Sequence, residues 1–217
     1  MRTETHGKKL FVLAIAFVMI VSQLLTAIPA SAATVLPIAQ YVKSEGTVEN
    51  VAANTAKYNG KLTINVPMTR VLGAVESEMQ TAANSGLYPH SKDGKNQIAY
   101  IEYNVTFPEN VDIGTITKTN TASMIDGNRI DSTVNGRTVT FKIHLKDVNW
   151  AGILNFYNAD KADPDAHTVK LEIPYSITAN SKAEAEKFES EKITAKGDFS
   201  TYPNGFAAML KFGLQTY

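Results

Sequence analysis

The chain is expected to fold as an antiparallel β-sandwich with short helical insertions. Three observations carry that expectation. Strict two-residue alternation recurs at Ile98–Phe107, Arg137–Leu145 and Thr168–Ile177. Turn-forming pairs, Asn59-Gly60, Asp126-Gly127 and Asn135-Gly136, stand between β-rich segments. Those segments are short and regularly spaced, which is the pattern of packed antiparallel sheets and not of strand–helix repeats.

Val134–Ile177 obeys these rules most closely. In Arg137–Leu145 (RTVTFKIHL), Val139, Phe141, Ile143 and Leu145 share one face, while Thr138, Thr140, Lys142 and His144 share the other. That is a half-buried strand. Asn135-Gly136 before it suits a type I′ hairpin turn, whose two central residues need positive φ. After it, Asp147 can cap a helix. Trp150, Ile153, Leu154 and Tyr157 then fall at i, i+3, i+4 and i+7, one helical stripe. In Thr168–Ile177 the alternation resumes, with Val169, Leu171, Ile173 and Tyr175 on one face.

The remaining elements follow in order. Ala33–Val51 reads as a lead-in with one edge strand, so the unit divides into a lead-in over 33–60 and a core over 61–217. Asn59-Gly60 marks a turn, and Lys61–Val66 follows as a strand that Pro67 ends. Val71, Leu72, Val75 and Met79 fit a helical face, which Gly73 weakens. Asn84–Asn96 is a polar loop. In Ile98–Phe107, Ala99, Ile101, Tyr103, Val105 and Phe107 point one way, and Pro108-Glu109-Asn110 breaks the strand. Val111–Thr117 is a further short strand, and Asp126-Gly127 signals a second I′-type hairpin. The stretch after Ile177 (TANSKAEAEKFESE) is a solvated helix or long connection. Ile193–Tyr202 and Phe206–Leu214 close the fold.

Export is written at the N-terminus. Arg2, Lys8 and Lys9 precede the apolar run Leu10–Ile28, and Ala30-Ser31-Ala32 forms an A-x-A site after Pro29. This is a secretory signal peptide over 1–32. A retained membrane anchor fits less well, because no stop-transfer charges follow. The whole chain is neutral, and the leader removes three basic residues and one acidic (Glu4), so the mature part is net negative by two. No basic run exists, which gives no footing for nucleic acid or an anionic membrane. Cysteine is absent. Disulfides, thiolate metal sites and a cysteine nucleophile are thereby excluded.

Candidate chemistry is sparse. His90, His144 and His167 show neither metal-ligand spacing nor a serine motif. Asp160, Asp163 and Asp165 cluster in NADKADPDAH, where calcium is conceivable. The loop lacks the glycine bend and closing glutamate of an EF-hand, however, and a plain turn is the better reading. Glu76 and Glu78 would not share a helix face. Glu184, Glu186, Glu189 and Glu191 interleave with Lys182, Lys187 and Lys192 as a solvated face. The Asn104-Val105-Thr106 sequon lies inside a strand. No phosphate loop, nucleophile elbow or zincin motif occurs. We therefore expect no catalytic residue, no metal and no cofactor.

Three blocks, YIEYNVTFPENVDIGTITKTNTASMI, NGRTVTFKIHLKDVNWAGILNFYNAD and HTVKLEIPYSI, resemble the adhesive domains of Gram-positive cell-surface proteins over about Lys61–Tyr202. The resemblance implies an Ig-like sandwich that is secreted or held at the cell surface and adheres to a host or extracellular-matrix protein or glycan. Binding is expected at Asn84–Asn96 and Asn158–His167, the loops of a rigid scaffold. Such proteins usually end in an LPxTG sorting signal. This chain ends in KFGLQTY, so covalent wall anchoring is not expected, and the chain is a truncated, released or non-covalently held form. Disulfide-free sandwiches of this kind can carry a Lys–Asn or Lys–Asp amide bond. Lys61, Lys142 and Lys170 lie in strands, but Lys142 and Lys170 are on polar faces and no motif singles out a partner. The rival reading is a structural subunit, pilin-like or a surface-layer block, which predicts self-association. A secreted hydrolase would need a convergent polar cleft, which the scattered histidines oppose.

Overall fold

The computed structural model describes residues 35–36, 41–89, 99–188, 193–201 and 208–216. The leader over 1–32, His90 and the rest of its loop to Asn96, and Glu189, Glu191 and Lys192 lie outside the described residues. Ala33–Tyr217 is a compact unit by itself.

Within that unit the fold is the expected antiparallel β-sandwich. Its strands are β1 (Val35–Leu36), β2 (Val42–Ala52), β3 (Thr55–Pro67), β4 (Tyr100–Thr106), β5 (Val111–Ile113), β6 (Thr117–Asn120), β7 (Ile125–Asn135), β8 (Thr138–Leu145), β9 (Thr168–Ala179), β10 (Thr194–Thr201) and β11 (Ala208–Thr216). Helices are α1 (Met68–Gly73), α2 (Glu76–Asn84), α3 (Trp150–Asp160) and α4 (Lys182–Lys187). One sheet runs β1-β11-β10-β4-β8-β7 and the other β2-β3-β9-β5, with β6 also on β9. All pairings are antiparallel except the two-residue β1 on β11.

The alternation places the core. Ile101, Tyr103, Val105, Val139, Phe141 and Ile143 from one sheet, and Leu62, Ile64, Val66, Val169, Leu171 and Ile173 from the other, are fully buried in one apolar cluster. Each such side chain contributes about 1.5–3 kcal/mol relative to exposure. The helical stripe also holds: Trp150, Ile153, Leu154 and Tyr157 are buried. Gly73 ends α1, and Val75 and Met79 carry the apolar face on into α2.

Five local expectations change. Asn59-Gly60 is not a turn but the middle of β3, paired to Thr47 and Gly46 on one side and to Ser176 and Tyr175 on the other. The ring of Tyr175 fills the space above Gly60, so a sheet position accepts the glycine. Asp126-Gly127 makes a bulge, not a hairpin. The register slips between Ile125 and Ile130, and Asn128 N–H bonds Asp126 Oδ1 at 3.1 Å. The β7–β8 hairpin exists, but its loop is Gly136-Arg137. Gly136 has φ +55° and Arg137 is not positive, the II′ pattern in place of I′.

Helix α3 is capped by Asn149, whose Oδ1 accepts from Gly152 N at 2.9 Å, and not by Asp147. The fifth change concerns Val111–Thr117, which splits into β5 and β6 opposite Pro174. The Pro174 carbonyl accepts from Gly114 N at 2.8 Å, so the N–H that proline lacks would point to the same side. The outer strand breaks where that ladder bond is missing.

Candidate binding groove

Helices α1, α2 and α3 gather at one end of the sandwich. Backbone bonds stitch that end together: Trp150 N to Leu87 O (2.8 Å), Lys146 N to Met124 O (2.9 Å) and Met68 N to His167 O (3.3 Å). Of the loops expected to bind a ligand, Asn158–His167 and the described residues 84–89 of the other lie here. Asn158–His167 is tightly tied down. Asp160 is buried and accepts from Ser123 N at 2.8 Å and Ser123 Oγ at 2.7 Å. Asp165 takes a two-pronged contact from Arg70 (2.9 and 3.2 Å) and a hydrogen bond from the Tyr41 hydroxyl (2.8 Å). Arg70 and then Tyr41 hold the Asp165 carboxyl below its usual range.

These carboxylates thus serve protein donors. Among the described residues no group of His, Asp and Glu is gathered to hold a metal ion. Of the other loop, Asn84–Pro89 is described. Its Leu87 carbonyl anchors Trp150, and Tyr88 is half exposed.

The histidines stand apart in role. His144 is on the polar face of β8 as its pattern requires, yet it is buried there under Tyr100, its cross-strand partner, at 5.5 Å between rings. Its Nε2 meets Asp131 Oδ2 at 3.1 Å. Burial, with Arg129 nearby, lowers its pKa against the pull of Asp131. His167 lies 3.5 Å from Asp160 Oδ1.

The lysines considered for an amide cross-link engage other groups. Lys61 and Lys170 both reach Glu172 (3.4 and 3.1 Å), and Lys142 lies over the Tyr100 ring at 4.7 Å. The buried polar or charged residues among those described are Thr69, His144 and Asp160. The sequon Asn104 has both ends of its amide occupied, by Glu102 at 2.9 Å and Thr140 at 2.6 Å.

A concave site lies at the opposite end. A groove of about 560 Å³ is lined by Thr106, Phe107, Pro108, Glu109, Asn110, Arg137, Phe188 and Thr194. It is built by chain reversals. Phe107 follows β4 and turns inward against Tyr175, 5.1 Å between rings. Pro108 stops the strand, and Asn110 at φ +58° swings the chain into β5. Asn tolerates that left-handed backbone better than most residues. Phe107 N donates to Arg137 O at 2.9 Å, which ties this loop to the β7–β8 hairpin. Thr106 faces Thr194 across the β4–β10 ladder, and Phe188 closes the wall after α4.

α4 itself is capped by Ser181, which accepts from Glu184 N at 3.1 Å. Arg137, Glu109, Asn110 and Phe188 are among the residues that line this open concavity. Its volume falls in the usual range for ligand sites. Sequence reasoning missed it because the lining comes from four separate stretches. The one local signal was the strand-breaking Pro108-Glu109-Asn110.

Fold and groove together define a β-sandwich module with a concavity at one end of its sheets. No protein-family model matches the chain, and no curated protein matches it either. Solved structures with a distant likeness include the N-terminal domain of the Streptococcus gordonii adhesin Sgo0707, at 14% identity and TM-score 0.33, covering 82% of this chain and 34% of that one. Another is BcpA*(D312A), the major pilin subunit of Bacillus cereus, at 8% identity and TM-score 0.26, covering 81% and 39%. A third is the pilus backbone RrgB from Streptococcus pneumoniae, at 11% identity and TM-score 0.28, covering 74% and 52%. The chain spans about a third of the length of the Sgo0707 domain structure. No helix among the described residues is long and apolar enough to cross a membrane.

Proposed function

We propose that this chain is an adhesive, ligand-binding module, exported and held at or released from the surface of a Gram-positive bacterium, and that it is not an enzyme. The observation that carries the reading is the groove at the Phe107–Asn110 end, where Arg137, Glu109 and Phe188 converge on an open concavity. Loops on a rigid sandwich are where such a scaffold binds. The leader expected over 1–32 supplies the export step. The partner is a host or matrix protein or a glycan, with no role for nucleic acid or membrane.

The test is binding of Ala33–Tyr217 to arrays of matrix proteins and glycans, with Arg137→Glu and Phe188→Ala alongside. Saturable binding that either change weakens supports the groove. Binding that neither change affects moves the site to the Asn84–Asn96 and Asn158–His167 end. A second reading, a self-associating structural subunit, is favoured by one observation: among the described residues, strand β2 is an open sheet edge. Ordered assembly without ligand binding on the same sample would select it.

A further inference from the structure

Strand β2 bonds to β3 on one side, and among the described residues nothing pairs with its other side. Val42 is buried and Val48 half-buried, while the rest of Val42–Ala52 is exposed on both faces. An open row of backbone N–H and C=O groups of this length is a template for strand addition. Its regular part ends at Asn50, because the register to β3 shifts before Ala52. The midpoint of that regular part is Gly46.

We propose that β2 pairs antiparallel with β2 of a second copy about a two-fold axis through Gly46, joining two sheets edge to edge. The inference rests on the self-associating reading and is independent of the groove. Side-chain charge selects the register. Residues directly opposite in an antiparallel pair point to the same face, so odd positions must meet odd and even must meet even. With Gly46 against Gly46, Lys43 faces Glu49 of the second copy, and the symmetry repeats the contact. Glu45 then faces Thr47, and no like charges meet.

Full overlap of the strand, with Val42 against Ala52, would set Glu45 against Glu49 twice, and like charges directly opposite are destabilising. Centring on Ser44 pairs Lys43 with Glu45 but overlaps only Val42–Gly46. On the inner face Gly46 meets Gly46 and Ser44 meets Val48. The Tyr58 ring, which already fills the space over Gly46, lies beside that seam.

Within its own chain β2 is compatible with this arrangement. Lys43 pairs with Glu45 at the exposed surface, and Glu49 accepts from Asn59 Nδ2 at 3.3 Å. Both contacts are solvent-exposed, so neither holds its charge away from a second copy.

The test is sedimentation or light scattering of Ala33–Tyr217, the compact unit that holds every described strand, over a range of concentrations. The wild type is expected to form a reversible dimer. Lys43→Glu and Glu49→Lys each set like charges against each other twice, and each is expected to weaken the dimer by about tenfold or more. An equimolar mixture of the two variants restores opposite charges at both contacts and is expected to dimerise again. Two misfolded chains would not regain a dimer, so the mixture also controls for folding. A wild type that stays monomeric at every concentration overturns the pairing. Association that survives both charge changes overturns this edge as the interface while leaving self-association standing. Neither result touches the ligand assay at the groove.

Discussion

The ring of Tyr175 occupies the space that a side chain on Gly60, its direct partner across the β3–β9 ladder, would need. Tyr58 does the same over Gly46 in the next strand. The two rings lie 6.0 Å apart, Phe107 approaches Tyr175 from the opposite sheet, and the Tyr175 hydroxyl sits 3.2 Å from Ser44 Oγ. Aromatic area thus covers a part of the sheet that glycine leaves bare. Gly60→Ala would drive a methyl group into the ring. We expect a loss of about 1–3 kcal/mol, read as a lower urea midpoint with an unchanged slope. Combined with Tyr175→Leu, the change should cost less than the two losses added together, because the residues touch.

Asp160 joins the end of α3 to the turn at Ser123. Asp160→Ala leaves the Ser123 N–H and hydroxyl without their acceptor in a buried site. The expected cost is about 1–3 kcal/mol, with Asp160→Asn recovering part of it. Amide exchange at Ser123, measured by NMR, should rise in the alanine variant and locate the damage.

Tyr157 predicts an alkaline limb to the stability curve. Burial first, and then its hydrogen bond to Glu76 Oε2 at 2.9 Å, push its pKa up to about 12 from 10. The folded state therefore favours the protonated phenol. That contribution is fully present below pH 10 and is lost as pH rises through the folded value. Tyr157→Phe should flatten unfolding free energy against pH in that window, and the difference titration of tyrosine absorbance should show one late phenol missing.

His144 predicts the acid counterpart. Burial, reinforced by Arg129 and Lys142 and opposed by Asp131, lowers its folded pKa below 6.5. The fold favours neutral imidazole, so this contribution is complete above 6.5 and is lost as pH falls through the folded value. His144→Gln should remove that part of the acid sensitivity. Imidazole NMR shifts should titrate below the range of an exposed histidine. A midpoint at or above that range would contradict the burial argument.

Much of the sandwich was legible because burial repeats along a strand with period two. Ile101, Tyr103 and Val105, and likewise Val139, Phe141 and Ile143, face the core as their spacing requires. The Trp150–Tyr157 stripe was legible for the same reason at helical period. The groove was not. Thr106, Arg137, Phe188 and Thr194 are far apart in the chain and carry no shared pattern. They meet because the β4–β10 ladder sets Thr194 beside Thr106 and because Phe107 N bonds Arg137 O.

The chain by itself determined which faces are apolar and that no disulfide can hold them, since periodicity and composition are local quantities. Tertiary structure decided what each glycine does. Asn59-Gly60 and Asp126-Gly127 look like hairpin turns, yet one became mid-strand and the other a bulge, while Gly136 turns the chain. A glycine permits several backbone states at similar energy, and the choice among them fell to partners remote in sequence. At Gly60 that partner is the Tyr175 ring, whose packing against Phe107 and Tyr58 outweighs the local preference for a turn.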